Sequence, residues 1–295
     1  MSRHDWNAPG GETDYFIVET ITGEHEMKMR IGLAQMNSRD NKKENLLSAE
    51  TLIRELAGKG AELVMLPEHF DFIGPDHDKQ KQAETIDSSF TLEMIRNIAS
   101  DLKIYIHIGS FLERDGDEVF NTALVFNPSA EIIAKYRKIH LFDVEIPGGR
   151  TYLESDTISP GHETARFTIG DYVFGMATCY DLRFPELFRS LAGQGADVLL
   201  LPAAFTLETG KDHWELLLRA RAVENQCWVA GAGQWGTAPP HHSSYGRSMV
   251  VDPWGIVVAQ APDGISTVIA DLDSDILQSV RTTFPALNHV RRDLF

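Results

Sequence analysis

The chain has 295 residues, 43% of them hydrophobic, enough for one large α/β domain or two smaller ones. Its formal charge of −16, from 43 acidic against 27 basic residues, speaks against nucleic acid or an anionic membrane as partner. With 2 cysteines a disulfide framework is not expected, no apolar run approaches membrane-spanning length, and no basic-then-apolar leader pattern opens the chain, so a soluble cytoplasmic protein is expected.

Residues 1–28 mix Gly, Pro, Asp and Glu with little periodicity. They are expected to form an extension outside the core, partly disordered or packed on it, with residues 29–295 as a single domain. Met29–Met36 reads as a strand. A helix is expected from about Asn41 to Ala57, with Leu46, Leu52, Ile53 and Leu56 on its apolar side and Gly58-Lys-Gly60 ending it. Ala61–Pro67 then reads as a buried strand that runs into Glu68.

Leu56–Phe70 (LAGKGAELVMLPEHF) and Leu191–Phe205 (LAGQGADVLLLPAAF) align without gaps at an offset of 135. Downstream, a helix and strand ending IleHisIleGly109 has a counterpart ending ValAlaGly231. A hairpin around Asn127-Pro128 has one around Asp252-Pro253-Trp254-Gly255. Each half therefore reads strand, helix, strand, helix, strand, turn, strand. Two such units bury their sheets against each other with helices outside. The expected fold is α/β: a four-layer α/β/β/α sandwich with an internal pseudo-two-fold repeat. A doubly wound dinucleotide fold is the rival, but no GxGxxG follows a strand.

The repeat separates scaffold from chemistry. Glu68 ends its strand where the second half has Ala203, so the scaffold needs no carboxylate there; a solvated or capping Glu is the plainer alternative. Lys135, Arg137 and Lys138 cluster on the strand leaving the first hairpin, where three basic residues can also be a solvated face. Tyr172–Thr178 reads as a buried strand, and Cys179 falls at its end. Asp181 can cap a following amphipathic helix built on Pro185, Leu187, Phe188, Leu191 and Ala192. A thiol near a helix N-terminus is expected to have a lowered pKa and to serve as a nucleophile, against the alternative of a buried structural cysteine.

Leu-Pro-Glu68, Tyr-Arg-Lys138-Ile-His-Leu and Cys179-Tyr-Asp-Leu-Arg-Phe-Pro-Glu resemble, in order and spacing, the three signatures of the nitrilase superfamily of carbon–nitrogen hydrolases. The resemblance covers about Arg30 to Asp293. It implies the same four-layer sandwich and a mechanism in which Cys179 attacks an amide carbon to form a thioester. Glu68 would then be the general base and acid, while Lys138 and the backbone N–H of Tyr180 would hold the oxyanion. Glu154, in TyrLeuGluSer, matches the family's second glutamate, which positions the lysine or the substrate.

LPEHFDFIG (66–74), RKIHLFDVEIPGG (137–149), HWELLLRARAVENQ (213–226) and SYGRSMVVDPWG (244–255) look most like the deaminated-glutathione amidase branch. That activity cleaves the amide of the 2-oxoglutaramate moiety and releases 2-oxoglutarate and cysteinylglycine. The neighbouring ω-amidase branch and N-carbamoyl amidohydrolases remain alternatives, as does a non-catalytic binding protein on this fold. The substrate carries a carboxylate, so a fixed cation is expected. Arg183 is the candidate, unless it pairs with Glu186. Phe205, Thr206 and Thr209 either line the pocket or form a polar loop around one packed aromatic, and Arg219 and Arg221 are expected in internal ion pairs. Cys227 reads as core, and His241-His242 lacks a third ligand, so no metal and no cofactor are expected. The resemblance further implies a homodimer or higher even oligomer, with the helix Phe184–Leu191 near the interface and the C-terminal tail packed across it.

Overall fold

The computed structural model describes residues 28–145, 151–291 and 293–294. The extension expected over 1–28 thus lies, up to residue 27, outside the described residues, as does the end of the 137–149 motif. The first half runs β1 (Lys28–Gln35), α1 (Lys42–Gly58), β2 (Leu63–Met65), α2 (Asp76–Gln82), α3 (Phe90–Leu102), β3 (Tyr105–His107), β4 (Phe111–Asp115), β5 (Glu118–Phe126) and β6 (Ile132–Arg137). A small hairpin, β7 (Asp143–Glu145) and β8 (Thr151–Leu153), links the halves. The second half runs β9 (Ala165–Ile169), β10 (Tyr172–Met176), α4 (Pro185–Gly193), β11 (Val198–Ala203), α5 (Leu207–Asn225) and β12 (Trp228–Gly233). A hairpin of β13 (Trp235–Ala238) and β14 (His242–Tyr245) follows, then β15 (Met249–Val251), β16 (Val257–Gln260), β17 (Ser266–Asp273) and α6 (Ser274–Thr283).

The strands form two large sheets, ordered β17-β1-β2-β3-β5-β4 with β6 on β5, and β16-β15-β12-β11-β10-β9. In each, three parallel strands are flanked by antiparallel ones: β1, β2 and β3 in the first, β10, β11 and β12 in the second. This repeats the architecture across the pseudo-two-fold axis. One strand escapes the repeat as read from sequence: β17, from the chain's last part, returns to pair with β1 from Lys28↔Asp273 to Gln35↔Ser266.

Strand alternation sorts the apolar side chains into layers. Ile31, Leu33, Leu63 and Met65 face Phe174, Met176, Val198 and Leu200 in the core between the sheets. Val64 and Leu66 face outward onto α1 and α3, among Leu46, Ile53, Leu56 and Ile95. Leu199 and Leu201 face α4 and α5, among Phe188, Leu191, Trp214 and Leu218. The result is a four-layer α/β/β/α sandwich.

Local signals set the helix ends. Asn41 caps α1 by accepting from the Glu44 N–H, and Pro185 stands at the first position of α4. Asp181 does not cap α4, whose cap residue Phe184 makes no side-chain bond. It lies instead in a five-residue 3₁₀ turn, Cys179–Arg183, where its carboxylate accepts the Thr178 N–H at 2.8 Å and its own N–H donates to the Thr178 carbonyl at 3.0 Å. Among the described residues, no helix is long and apolar enough to cross a membrane.

Candidate active site

Each half contributes a strand end with an uncommon backbone. After β2 the chain passes through Pro67 and Glu68 to His69, which has φ 54°; after β10 it passes through Thr178 to Cys179, which has φ 48°. Non-glycine residues in this left-handed region cost roughly 1–3 kcal/mol, so both turns are held by their surroundings. The Glu68 loop is fastened by Gln234, whose side-chain amide donates to the Glu68 carbonyl at 3.0 Å, and by Ser110, whose Oγ accepts the His69 N–H at 3.0 Å. Gly109, at φ 70°, lets this loop close down: a Cβ there would stand 1.9 Å from the Pro67 carbonyl oxygen.

Lys138 arrives from the end of β6, its N–H donating to the Asn121 carbonyl at 2.9 Å. Its ammonium is buried between two carboxylates, 3.1 Å from Glu68 Oε1 and 2.7 Å from Glu154 Oε2. The Asn121 amide donates to Glu68 Oε1 at 2.9 Å and to Glu154 Oε1 at 3.3 Å. The backbone completes the frame: Ala204 N–H donates to Glu68 Oε2 at 2.8 Å and Phe142 N–H to Glu154 Oε2 at 2.7 Å. The half-buried Cys179 lines the same cleft, close enough for the Glu68 carboxylate and the Lys138 ammonium to act on its thiol.

One lysine thus faces two carboxylates beside a thiol, and this decides the protonation states. Burial alone would raise the Glu68 carboxyl, but Lys138, then His69, the Cys179 thiol and the Ala204 N–H outweigh it and pull it down to about 2. Burial and then the Glu68 charge push the Cys179 thiol up, more than Lys138 lowers it. Burial opposes charge on Lys138 as well, yet Glu154 and Glu68 reverse this and keep it an ammonium. The lowered thiol pKa expected from a helix N-terminus is therefore corrected. Cys179 starts a short 3₁₀ turn rather than an α-helix, and the neighbouring carboxylate dominates. The resting pair is a neutral thiol against a carboxylate.

A cleft of about 220 Å³ opens over Cys179, lined by Glu68, Lys138, Glu154, Tyr180, Arg183, Phe205, Thr206 and Thr209. Arg183 lies 5.1 Å from the Phe205 ring centre and 5.9 Å from that of Tyr180, and donates to His213 Nδ1 at 3.3 Å. Among the described residues it has no ion pair with Glu186 or any other carboxylate. Phe205 packs on Trp214, and the Thr206 and Thr209 hydroxyls bond to each other at 2.8 Å where Thr206 caps α5. Arg221, itself buried, pairs with Glu224, whereas the pair of Arg219 with Glu215 lies on the exposed surface of α5. The basic cluster divides: Lys135 and Arg137 pair with the buried Glu113, and Lys138 alone enters the cleft. Cys227 is fully buried.

Several site residues escaped the sequence reading. Asn121 was legible as a polar residue inside an otherwise apolar strand. The Ala204 and Phe142 N–H groups carry no sequence signal at all. His69, Lys79, Tyr152 and His242 also line the cleft, so His242 is not merely a loop residue after Pro239-Pro240. Glu68, His69 and Glu154 bring donor atoms within 4.8 Å of one another, a spacing that could hold a metal ion. The Lys138 ammonium already bonds both of those carboxylates and supplies the positive charge a metal would bring.

Comparison with known proteins agrees with this architecture. The family description "Carbon-nitrogen hydrolase" matches residues 30–282. The chain is 42% identical over 260 residues to a deaminated glutathione amidase of Synechocystis sp. (strain PCC 6803 / GT-S), covering 86% of this chain and 95% of that one. It is 38% identical over 268 residues to the omega-amidase NIT2 of Danio rerio, covering 91% and 96%. The solved NitFhit protein of C. elegans superposes with a TM-score of 0.84 at 38% identity, covering 91% of this chain and 66% of that longer one. With its own sandwich and signatures alongside these matches, the chain belongs to the carbon–nitrogen hydrolase family of the nitrilase superfamily.

Proposed function

We propose that this enzyme hydrolyses the amide of a 2-oxoglutaramate-type substrate, deaminated glutathione foremost, through a cysteine thioester. The observation that carries the reading is the buried Glu68–Lys138–Cys179 cluster at the floor of the cleft. Glu68 takes the thiol proton as sulfur adds to the amide carbon. Because the thiol is pushed up and the carboxyl down, this transfer runs uphill at rest and is coupled to attack. Lys138 and the Tyr180 N–H receive the charge that develops on the carbonyl oxygen. Glu68 then passes its proton to the departing nitrogen, leaving the thioester. It next takes a proton from water as that water adds, and on collapse the C–S bond breaks, Glu68 returns that proton to the Cys179 sulfur and the acid leaves. Each such transfer contributes roughly 10²–10⁴-fold. Glu154 positions Lys138 and balances its charge. Arg183 holds the substrate's 2-oxo-acid carboxylate above Phe205, with Thr206 and Thr209 beside it.

The second reading is ω-amidase, favoured by the Danio rerio relative and by a cleft no larger than about 220 Å³. Turnover of deaminated glutathione, 2-oxoglutaramate and an N-carbamoyl amino acid by the full-length enzyme separates the branches. Cys179→Ala is expected to abolish turnover, and Glu68→Gln, which removes the proton acceptor of both half-reactions, to lower it by roughly 10²–10⁴-fold. The chemistry draws on a thiol, two carboxylates, an ammonium and backbone donors, so turnover should survive exhaustive chelation. Activity lost to a chelator and restored by one particular metal, or an active Cys179→Ala variant, would overturn the reading.

Cytoplasmic location is supported by two unbridged cysteines, Cys179 and Cys227. Assembly as a homodimer or higher even oligomer through the face near α4 is supported by exposed apolar side chains close by. Leu216 and Val223 on α5, Trp254 and Ile256 on the β15–β16 turn, and Phe284 are each more than half exposed. Light scattering tests it, a clean 33.0 kDa particle at micromolar concentration counting against assembly.

A further inference from the structure

The cleft over Cys179 carries a side chamber of about 60 Å³ that the chemistry described so far does not use. The two spaces share His69, Lys79, Tyr152, Ala204, Thr206 and His242, whereas Arg183, Cys179 and Lys138 line the main cleft alone. We infer that the Lys79 end of this side chamber is a subsite for a carboxylate carried by the leaving amine, so that the enzyme reads its substrate at both ends.

The inference rests on the amidase reading above, and three observations support it. The first is direction. Glu68 must face the departing nitrogen to give it a proton. The chain that continues from Glu68, through His69 to α2 with Lys79, walls the side chamber on that same flank. His69, at φ 54°, lines both spaces. The acyl portion, pinned by Cys179 and Lys138, therefore extends towards Arg183, and the amine towards Lys79.

The second is charge. The cations lining the main cleft are Lys79, Lys138 and Arg183, and Lys138 is taken up by Glu68 and Glu154. Among the described residues two others remain: Arg183, which lines the main cleft alone, and Lys79, which also lines the side chamber and pairs with Asp76. A substrate with one carboxylate in its acyl part and another at the end of a leaving dipeptide presents two anions. In such an amine the carboxylate lies about 7 Å from the scissile nitrogen when extended, a reach of two residues.

The third is availability. Lys79 pairs with Asp76 at 2.7 Å, but its own side chain is only 16% exposed while that of Asp76 is 70% exposed. An ion pair with so exposed a carboxylate contributes little to stability, so a substrate carboxylate can replace or share it at small cost. No residue of α2 is fully buried, and the melting temperature of each Lys79 variant reports whether the fold is kept.

The experiment compares two substrates that share an acyl group. In deaminated glutathione the leaving amine is cysteinylglycine; in 2-oxoglutaramate it is ammonia. Lys79→Met should lower kcat/KM for the long substrate by roughly ten- to a hundredfold more than for the short one, mainly through KM, with Lys79→Arg recovering most of the difference. Capping the terminal carboxylate of the long substrate as its amide should cost the wild-type enzyme a similar factor and cost Lys79→Met almost nothing further. Equal losses on both substrates, or wild-type indifference to the amide cap, would overturn the subsite. A wild-type enzyme that turns over only the short substrate overturns it too while leaving the amidase reading standing; one that cleaves neither fails the amidase reading itself.

Discussion

The Tyr136 hydroxyl donates to Asp181 Oδ2 at 2.6 Å, deep in the interior. Tyr136 stands two residues before Lys138, and Asp181 two residues after Cys179. The same carboxylate accepts the Thr178 N–H at 2.8 Å, and it holds His140 through its N–H at 3.1 Å and its Nδ1 at 2.7 Å. One buried aspartate thereby fastens residues on both sides of Lys138 to the turn that carries Cys179. The register between the half-units is set where the chemistry needs it.

Tyr136→Phe tests this directly. Burial and Asp181 push the phenol well up, so it donates at any working pH, and removing it leaves a charged acceptor short of one bond. The expected cost is about 1.5–3 kcal/mol in urea unfolding. A fall in kcat of up to roughly a hundredfold should accompany it, because small misplacements of reacting groups are expensive. Wild-type values for both would show that the bond positions nothing.

The protonation states give a pH signature. Glu68 sits near 2 in the folded protein against an ordinary 4.5, so its charge contributes stability that is complete above about 4.5 and is lost as pH falls towards 2. His107, fully buried, is lowered by burial to about 3. Its neutral form contributes stability that is complete above its ordinary 6.5 and is lost as pH falls below that. The unfolding midpoint should therefore drop progressively between about pH 6.5 and pH 3. The raised Cys179 thiol predicts the opposite limb. Alkylation by a neutral reagent should still be accelerating above about pH 9, past the ordinary thiol range. A thiolate transition near neutrality, followed by ultraviolet absorbance, would contradict the assignment of a neutral thiol.

How far the sequence spoke for this arrangement depends on which residues carried the message. The layers were legible because alternation puts Leu63 and Met65 on one face and Val64 and Leu66 on the other, and the same run recurs at Val198–Leu201. Glu68 stood out because its counterpart is Ala203. β17 was not legible: pairing with β1 joins residues more than two hundred positions apart, and nothing in a local pattern states it. The direction of the Cys179 shift was misread for a related reason. A strand-to-helix turn suggests a helix dipole, but the dominant neighbour is a carboxylate from the other half-unit. Asp181 likewise reads as a helix cap from its neighbours in sequence, while its partners come from β6 and the residues after it.

Gly109 offers a test of how closely the Glu68 loop is fitted. An added Cβ would meet the Pro67 carbonyl at 1.9 Å and the Leu66 carbonyl at 2.5 Å, and φ 70° is itself unfavourable for a side chain. Gly116, at φ 60°, meets nothing within 4 Å and serves as the control. Gly116→Ala should cost only the conformational part, about 1–2 kcal/mol. Gly109→Ala adds the clash, about 1–3 kcal/mol more, and should also lower kcat because relief requires the Glu68 loop to move. Equal melting temperatures and equal activity in the two variants would show that the loop tolerates displacement.

Arg183 is the proposed holder of the substrate's anion. Its guanidinium stands near the faces of Phe205 and Tyr180 and donates to His213, with no carboxylate partner among the described residues. A planar cation placed this way can take a carboxylate by two parallel bonds, which lysine cannot reproduce. A hydrogen bond to a charged group contributes roughly 1.5–3 kcal/mol, so Arg183→Lys should lower kcat/KM by about ten- to a hundredfold for a carboxylate-bearing amide. A neutral amide of similar size should lose much less, and alkylation of Cys179 by a small neutral reagent should proceed at close to its wild-type rate. A scaffold role predicts a different pattern. Losing the contacts with His213, Phe205 and Tyr180 would then lower the melting temperature and depress both substrates together. Measuring the melting temperature and both activities on one preparation separates the two, and joint loss with earlier melting would move the anion-holding role away from Arg183.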